Sequence, residues 1–232
     1  MKSTIFSIAL YLAVSLLACQ DSRDEHLKNT APDHAAYKAI GEQIPLETGM
    51  RWIETYKNSQ QGRQKLLGGL LDLNNYEISD TQMNAVLQSI TGLTGVAFHY
   101  GLDEDGDKHI MIIPVDASLR LWEFVQPGRI IVDANTDTQI SLSTAQTWAQ
   151  NYQNAHPTGT WFHFFGSDIF DEIVLIPFFT SLNIQPALND LLLPQMLLII
   201  WDPNLPFLGG KAKSDRTLVY DASNNCPPCA VH

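Results

Sequence analysis

Cations are scarce in this chain: Lys and Arg total 14 against 25 Asp and Glu in 232 residues, a formal charge of -11. A phosphate backbone is bound through clustered cations that displace its counterions, so nucleic acid is not an expected partner. Cysteine is scarce too, with three residues, which excludes a disulfide-dense scaffold. No apolar run reaches the roughly 20 residues that a helix needs to cross a bilayer. The longest late stretch, residues 191–201, is broken by Pro194 and Gln195 and reads as a turn followed by a buried strand. A Gly-rich phosphate loop, a Gly-x-Ser-x-Gly elbow and a His-Glu-x-x-His helix are all missing. The composition, 45% hydrophobic and 17% charged, is that of an ordinary globular protein.

At the N-terminus, Lys2 precedes an apolar stretch over residues 5–17 that only Ser7 and Ser15 interrupt, the charge and hydrophobic pattern of a secretory signal. Leu16, Leu17, Ala18 and Cys19 follow. That sequence resembles the lipobox of bacterial lipoproteins, in which the Cys is acylated and becomes the first residue after cleavage. The resemblance implies residues 1–18 as signal peptide, Cys19 as the lipidation site and the membrane as a partner through its acyl chains. Gln20, instead of Asp, after the anchor points to the outer membrane of the cell envelope. Residues 19–43 then serve as lipidated Cys and tether. As a coil, the 24 residues 20–43 span about 27 Å root-mean-square. Residues 33–40 have the option of a short helix, with Asp33 as N-cap and Ala36, Tyr37 and Ile40 on one face.

The strongest internal pattern is a repeat. Residues 44–58, IPLETGMRWIETYKN, align with residues 140–154, ISLSTAQTWAQNYQN, with six identities in 15 positions, Trp52/Trp148 and Tyr56/Tyr152 among them. Both segments carry apolar residues at spacings of three and four, which predicts an amphipathic helix in each. A second helix follows in each half, opened by Ser79 with Gln82 in a capping pattern and by Ser167. Next come hairpins over 96–115 and 181–201, whose second strands end in Asp116 and Asp202, and closing strands that set Arg129 to Ala134 against Arg216 to Ala222. The expected fold is α+β: two tandem copies of a helix-helix-hairpin-strand unit, 44–139 and 140–232, packed around shared antiparallel sheet.

The repeated TAxxWxxNYQ-type helix, an acidic turn before a strand ending in Val-Asp and the Cys-Pro-Pro ending together resemble an uncharacterised cell-envelope lipoprotein family of Gram-negative bacteria. The likeness covers residues 44–232 and implies an anchored protein with no assigned reaction, so no catalytic residue is carried over. The second copy departs from the acidic turn, with Asp190, Leu191, Leu192 and Leu193 in its place.

Three groups of residues are candidates for chemistry. Asp103, Asp105 and Asp107 surround Gly106 with oxygen ligands of the kind Ca2+ takes, although Asp105-Gly106 is also a strong hairpin signal. Cys226 and Cys229 frame two prolines; in an oxidising envelope they are expected as a local disulfide, with a soft-metal site including His232, or redox thiols, as alternatives. Trp161, Phe162 and Phe164, with His163 and Phe165 among them, are either a partner-binding patch or core. Asp168 and Glu172, four apart at a helix start, suit the positive end of a helix dipole better than acid-base catalysis. The expectation is a non-enzymatic binding or assembly protein of the envelope, with an envelope hydrolase or a small-ligand or metal-binding protein with a cleft between the repeats, or a redox or metal-handling protein centred on Cys226 and Cys229, as the alternatives.

Overall fold

A computed structural model describes residues 34–63, 76–118, 128–176, 179–200, 217–221 and 224–226, all within the unit His34–His232. The signal segment, Cys19, most of the tether, Asp202, Arg216, Ala222, Cys229 and His232 lie outside the described residues. Five helices are described: α1 (His34–Lys38), α2 (Leu46–Arg63), α3 (Asp80–Gln88), α4 (Leu142–Ala155) and α5 (Ser167–Val174). The strands are β1 (Glu42–Ile44), β2 (Tyr76–Ser79), β3 (Leu93–Leu102), β4 (Lys108–Asp116), β5 (Ile131–Asp133), β6 (Thr138–Ile140), β7 (Phe162–Gly166), β8 (Ser181–Leu188), β9 (Pro194–Ile200), β10 (Leu218–Asp221) and β11 (Asn224–Cys226). The class is α+β with antiparallel pairing throughout.

Instead of one shared sheet there are two, a five-stranded one ordered β1-β10-β9-β8-β2 and a six-stranded one ordered β11-β7-β3-β4-β5-β6. Each mixes strands from the two halves of the chain. A three-strand set such as β8-β9-β10 exposes two edges of unpaired N–H and C=O groups. Here β1 and β2, from the other half, cover both edges; β6 and β7 do the same for β3-β4-β5. Those four short strands were not legible in the sequence, where 42–43 read as tether and 162–166 as an aromatic run.

Registers fix which residues meet. Asp133 lies opposite Met111 and Asp221 opposite Leu197; Ile131 opposite Ile140 and Val219 opposite Ile44; Gly95 opposite Gly166 and Ser181 opposite Ser79. Strands β3, β4 and β9 are buried along almost their whole length because both sheet faces are covered. One face of each sheet joins the main core, with Phe98, Ile112 and Val132 from one and Ile184, Leu198 and Tyr220 from the other, closed by Met83 and Val86 of α3 and Phe170 and Ile173 of α5. The second face of the five-stranded sheet packs on Trp52 and Ile53 of α2. That of the six-stranded sheet packs on Ala145, Trp148 and Ala149 of α4 and on Tyr37 of α1.

Local sequence explains the helix starts. Ser79 caps α3, its hydroxyl accepting from the Gln82 amide at 3.3 Å, and Ser141 caps α4 by accepting from Thr144 at 3.0 Å. At the start of α5 the cap is Gly166, with no side-chain bond. A Cβ there would sit inside contact distance of the Lys38 carbonyl, so α1 approaches the backbone where only glycine fits.

Candidate functional site

The β3-β4 turn and the β5-β6 turn come together at one end of the six-stranded sheet. Gly106 takes a positive φ of 85° in the first, and Asp103 organises it: its Oδ1 accepts from the amides of Asp105 at 3.0 Å and Asp107 at 2.7 Å. The Asp103 carboxylate is therefore engaged by its own backbone, and its Oδ2 faces His109 Nε2 at 3.4 Å. Glu104, Asp105 and Asp107 are exposed. Among the described residues no group of three His, Cys, Asp or Glu side chains is arranged to hold a metal ion; the acidic segment is the turn of the β3-β4 hairpin.

His109 sits at the start of β4 with its Nδ1 3.1 Å from Oδ2 of Asp133, at the end of β5. Asp133 is 1% exposed, and its carboxylate also accepts from the Asn135 amide at 3.1 Å and the Thr136 hydroxyl at 3.0 Å. The imidazole stacks on the Trp148 indole, ring centres 3.9 Å apart and planes 22° from parallel. Burial alone would lower the His109 pKa; the hydrogen bonds and charges of Asp133 and then Asp103 outweigh it and raise the pKa above the usual histidine value. Burial pushes Asp103 up, but the bonds from the Asp107 amide, His109 and the Asp105 amide hold its carboxyl below the usual range.

Both ring nitrogens of His109 thus face carboxylates. A histidine base in nucleophilic catalysis keeps one nitrogen for an orienting carboxylate and the other for a hydroxyl or thiol. The cluster instead ties two turns and a helix together.

A polar cleft of about 510 Å3 adjoins it, lined by Glu77 and Ser79 of β2, Ala134–Asp137 of the β5-β6 turn, Thr180 and Ser181. Asp137 adopts a left-handed φ of 53°, and its Oδ1 accepts from the Ser79 amide at 3.0 Å, joining the turn to the edge of the other sheet. Thr136 lines the cleft and donates to Asp133, so a hydrogen-bonded path runs from the cleft to His109.

The aromatic run lies mostly inside. Phe162 and Phe164 are 0% and 1% exposed, Phe162 stacking on His99 at 4.5 Å and Phe164 meeting Tyr37 edge-on at 6.2 Å. A partner cannot reach side chains that strand alternation and the cover of α1 bury, so Phe162 and Phe164 are core. Trp161 is half-buried and donates its Nε1–H to the His156 carbonyl at 3.0 Å. His163 is buried edge-on to Tyr100. Cys226 ends β11 opposite Phe162, while its proposed partner Cys229 lies outside the described residues.

Sequence reasoning did not single out His109, Asp133, Asn135, Thr136 or Asp137 as a site. The run Asp133-Ala-Asn-Thr-Asp137 was the available signal, since Asp, Asn and Thr concentrate in turns where their side chains bond the backbone. Among the described residues no helix is long and apolar enough to cross a membrane. No protein-family model, curated protein or solved structure matches the chain.

Proposed function

We propose that this chain is a lipoprotein of the bacterial cell envelope, held at the outer membrane through acylated Cys19, whose domain binds a small polar ligand without transforming it. The observation that carries the binding reading is the cleft. It combines the carboxylates of Glu77 and Asp137 with the hydroxyls of Thr180 and Ser181, a lining suited to an amine or a polyol. Binding is favoured over hydrolysis because its best general base, His109, has carboxylates on both nitrogens, while the Ser79 and Thr136 hydroxyls serve a helix cap and Asp133. The Cys19 anchor rests on the lipobox-like sequence alone.

Within the same proposal the domain is a tandem duplication whose copies exchange their first two strands. Support comes from an element order that runs strand, helix, strand, helix, hairpin, strand in both halves, and from registers that correspond across the two sheets. By that correspondence His109, Asp133 and Trp148 match Gln195, Asp221 and Trp52, so only one copy carries the histidine.

Intact native mass spectrometry of residues 20–232, purified from a periplasm without chelator or reductant, tests the binding reading. Retained small-molecule mass that Asp137→Asn with Glu77→Gln releases supports it; a bare chain that takes up no amine or polyol in a titration overturns it. Radiolabelled palmitate incorporation that Cys19→Ser abolishes tests the anchor separately.

A further inference from the structure

The β8-β9 hairpin ends in a turn that displays three consecutive leucines. Leu191, Leu192 and Leu193 are 77%, 62% and 51% exposed, although hairpin tips ordinarily carry polar residues. The turn is firmly built. Asn189 Oδ1 accepts from the amides of Leu191 and Leu193, both at 3.0 Å; the Leu192 amide donates to the Asn189 carbonyl at 2.8 Å and the Asn189 amide to the Leu193 carbonyl at 3.0 Å. Leu192 is held at φ 61°, a conformation that favours glycine or asparagine. The only charge in the turn, Asp190, is gripped by the Arg51 guanidinium through contacts of 3.0 to 3.2 Å.

We propose that this tip inserts into the interfacial layer of a lipid bilayer. Taking backbone donors out of water is costly unless they are bonded internally, and four of the five turn N–H groups, those of residues 189, 191, 192 and 193, have acceptors within the turn. A protein partner would find few donors here, since of the five turn N–H groups only that of Asp190 has no acceptor within the turn, whereas protein interfaces carry about one hydrogen bond per 100–200 Å2. The tip is also a convex point, which can enter a fluid layer more readily than a flat protein face can close on it. The chain enters the five-stranded sheet at the same end, because Glu42 pairs across β10 with the Leu197 row, nearer the turn than the Ile199 row that Ile44 faces. Insertion of the tip does not depend on a membrane anchor upstream. With a formal charge of -11, the protein should prefer zwitterionic to anionic lipid.

Flotation of unacylated residues 20–232, which hold the whole unit His34–His232, with phosphatidylcholine vesicles tests the proposal. The expected results are co-flotation that survives high salt, weakens when phosphatidylglycerol is added, and falls about ten-fold or more in Leu191→Asp with Leu193→Asp. A Leu191→Trp variant should show blue-shifted emission on vesicle addition. Both substitutions fall on exposed positions, and an unchanged thermal midpoint confirms the fold. Absence of flotation, equal flotation of the double variant, or flotation that requires phosphatidylglycerol and disappears in salt each overturns the proposal. So does photo-cross-linking from position 192 to an envelope protein without vesicle binding, which would assign the tip to a protein. Failure here leaves palmitate labelling of Cys19 unaffected, so the two ideas fail separately.

Discussion

Replacing His109 by Gln keeps a donor for Asp133 and removes the only titrating group in the clamp that gains a proton near neutrality. In the folded protein the His109 pKa is raised, by Asp133 and then Asp103 against the opposing effect of burial. The folded state therefore holds this proton more tightly than the unfolded chain, whose histidines titrate near about 6.5. The stabilisation is complete below that value and is lost as pH rises through the folded pKa. One proton limits the slope to about 1.4 kcal/mol per pH unit. Two other groups with shifted pKa values act in different windows. His156 has a lowered pKa, from burial and then Lys108, so its effect lies below about 6.5 and has the opposite sign; Asp221 titrates at about 6. Urea unfolding of wild type and His109→Gln, followed by far-UV circular dichroism from pH 6 to pH 9, should give a falling stability for the wild type and a flatter line for the variant. Trp148 offers an independent reading, because its ring lies 3.9 Å from the imidazole and its emission should follow His109 protonation in native protein. His109→Ala should cost about 2–4 kcal/mol, since Asp133 loses its imidazole partner but keeps Asn135 and Thr136. Parallel pH profiles for wild type and His109→Gln would refute the reasoning.

Asp221 poses the reverse case: burial, and then Glu42 facing it on β1, raise its pKa to about 6. The ionised form is disfavoured in the fold, so stability falls between about pH 4 and 6, and Asp221→Asn should gain about 1–3 kcal/mol at pH 7 but nothing below pH 4. Gly166→Ala should cost about 1–3 kcal/mol in thermal or urea unfolding, because its methyl meets the Lys38 carbonyl and must push α1 off β7. Leu192→Gly should raise stability by about 1 kcal/mol by relieving the left-handed strain, while reducing vesicle binding. A neutral Leu192→Gly in urea would mean the turn relaxes without cost.

The sequence by itself determined the elements whose signal is local. Apolar spacing around Trp52 and Trp148 placed α2 and α4, the Ser79-Gln82 pattern placed α3, and Asp105-Gly106 placed the β3-β4 turn. Each depends on contacts within a few residues, where periodicity and capping act. Strands β1, β2, β6 and β7 escaped it: they are three to five residues long and are stabilised by the edges of strands from the other half of the chain. The clamp escaped it for the same reason. Asp103 and His109 are near neighbours, but Asp133 and Trp148 reach the imidazole only through the β4-β5 register and the docking of α4, which no local pattern encodes. Burial was equally beyond it. Phe162, Phe164 and Leu191–Leu193 are all large and apolar, yet the two phenylalanines lie within a covered strand and the three leucines stand at a hairpin tip. Hydrophobicity says that a side chain would gain from leaving water; only the packing of one sheet and helix against another decides whether it does.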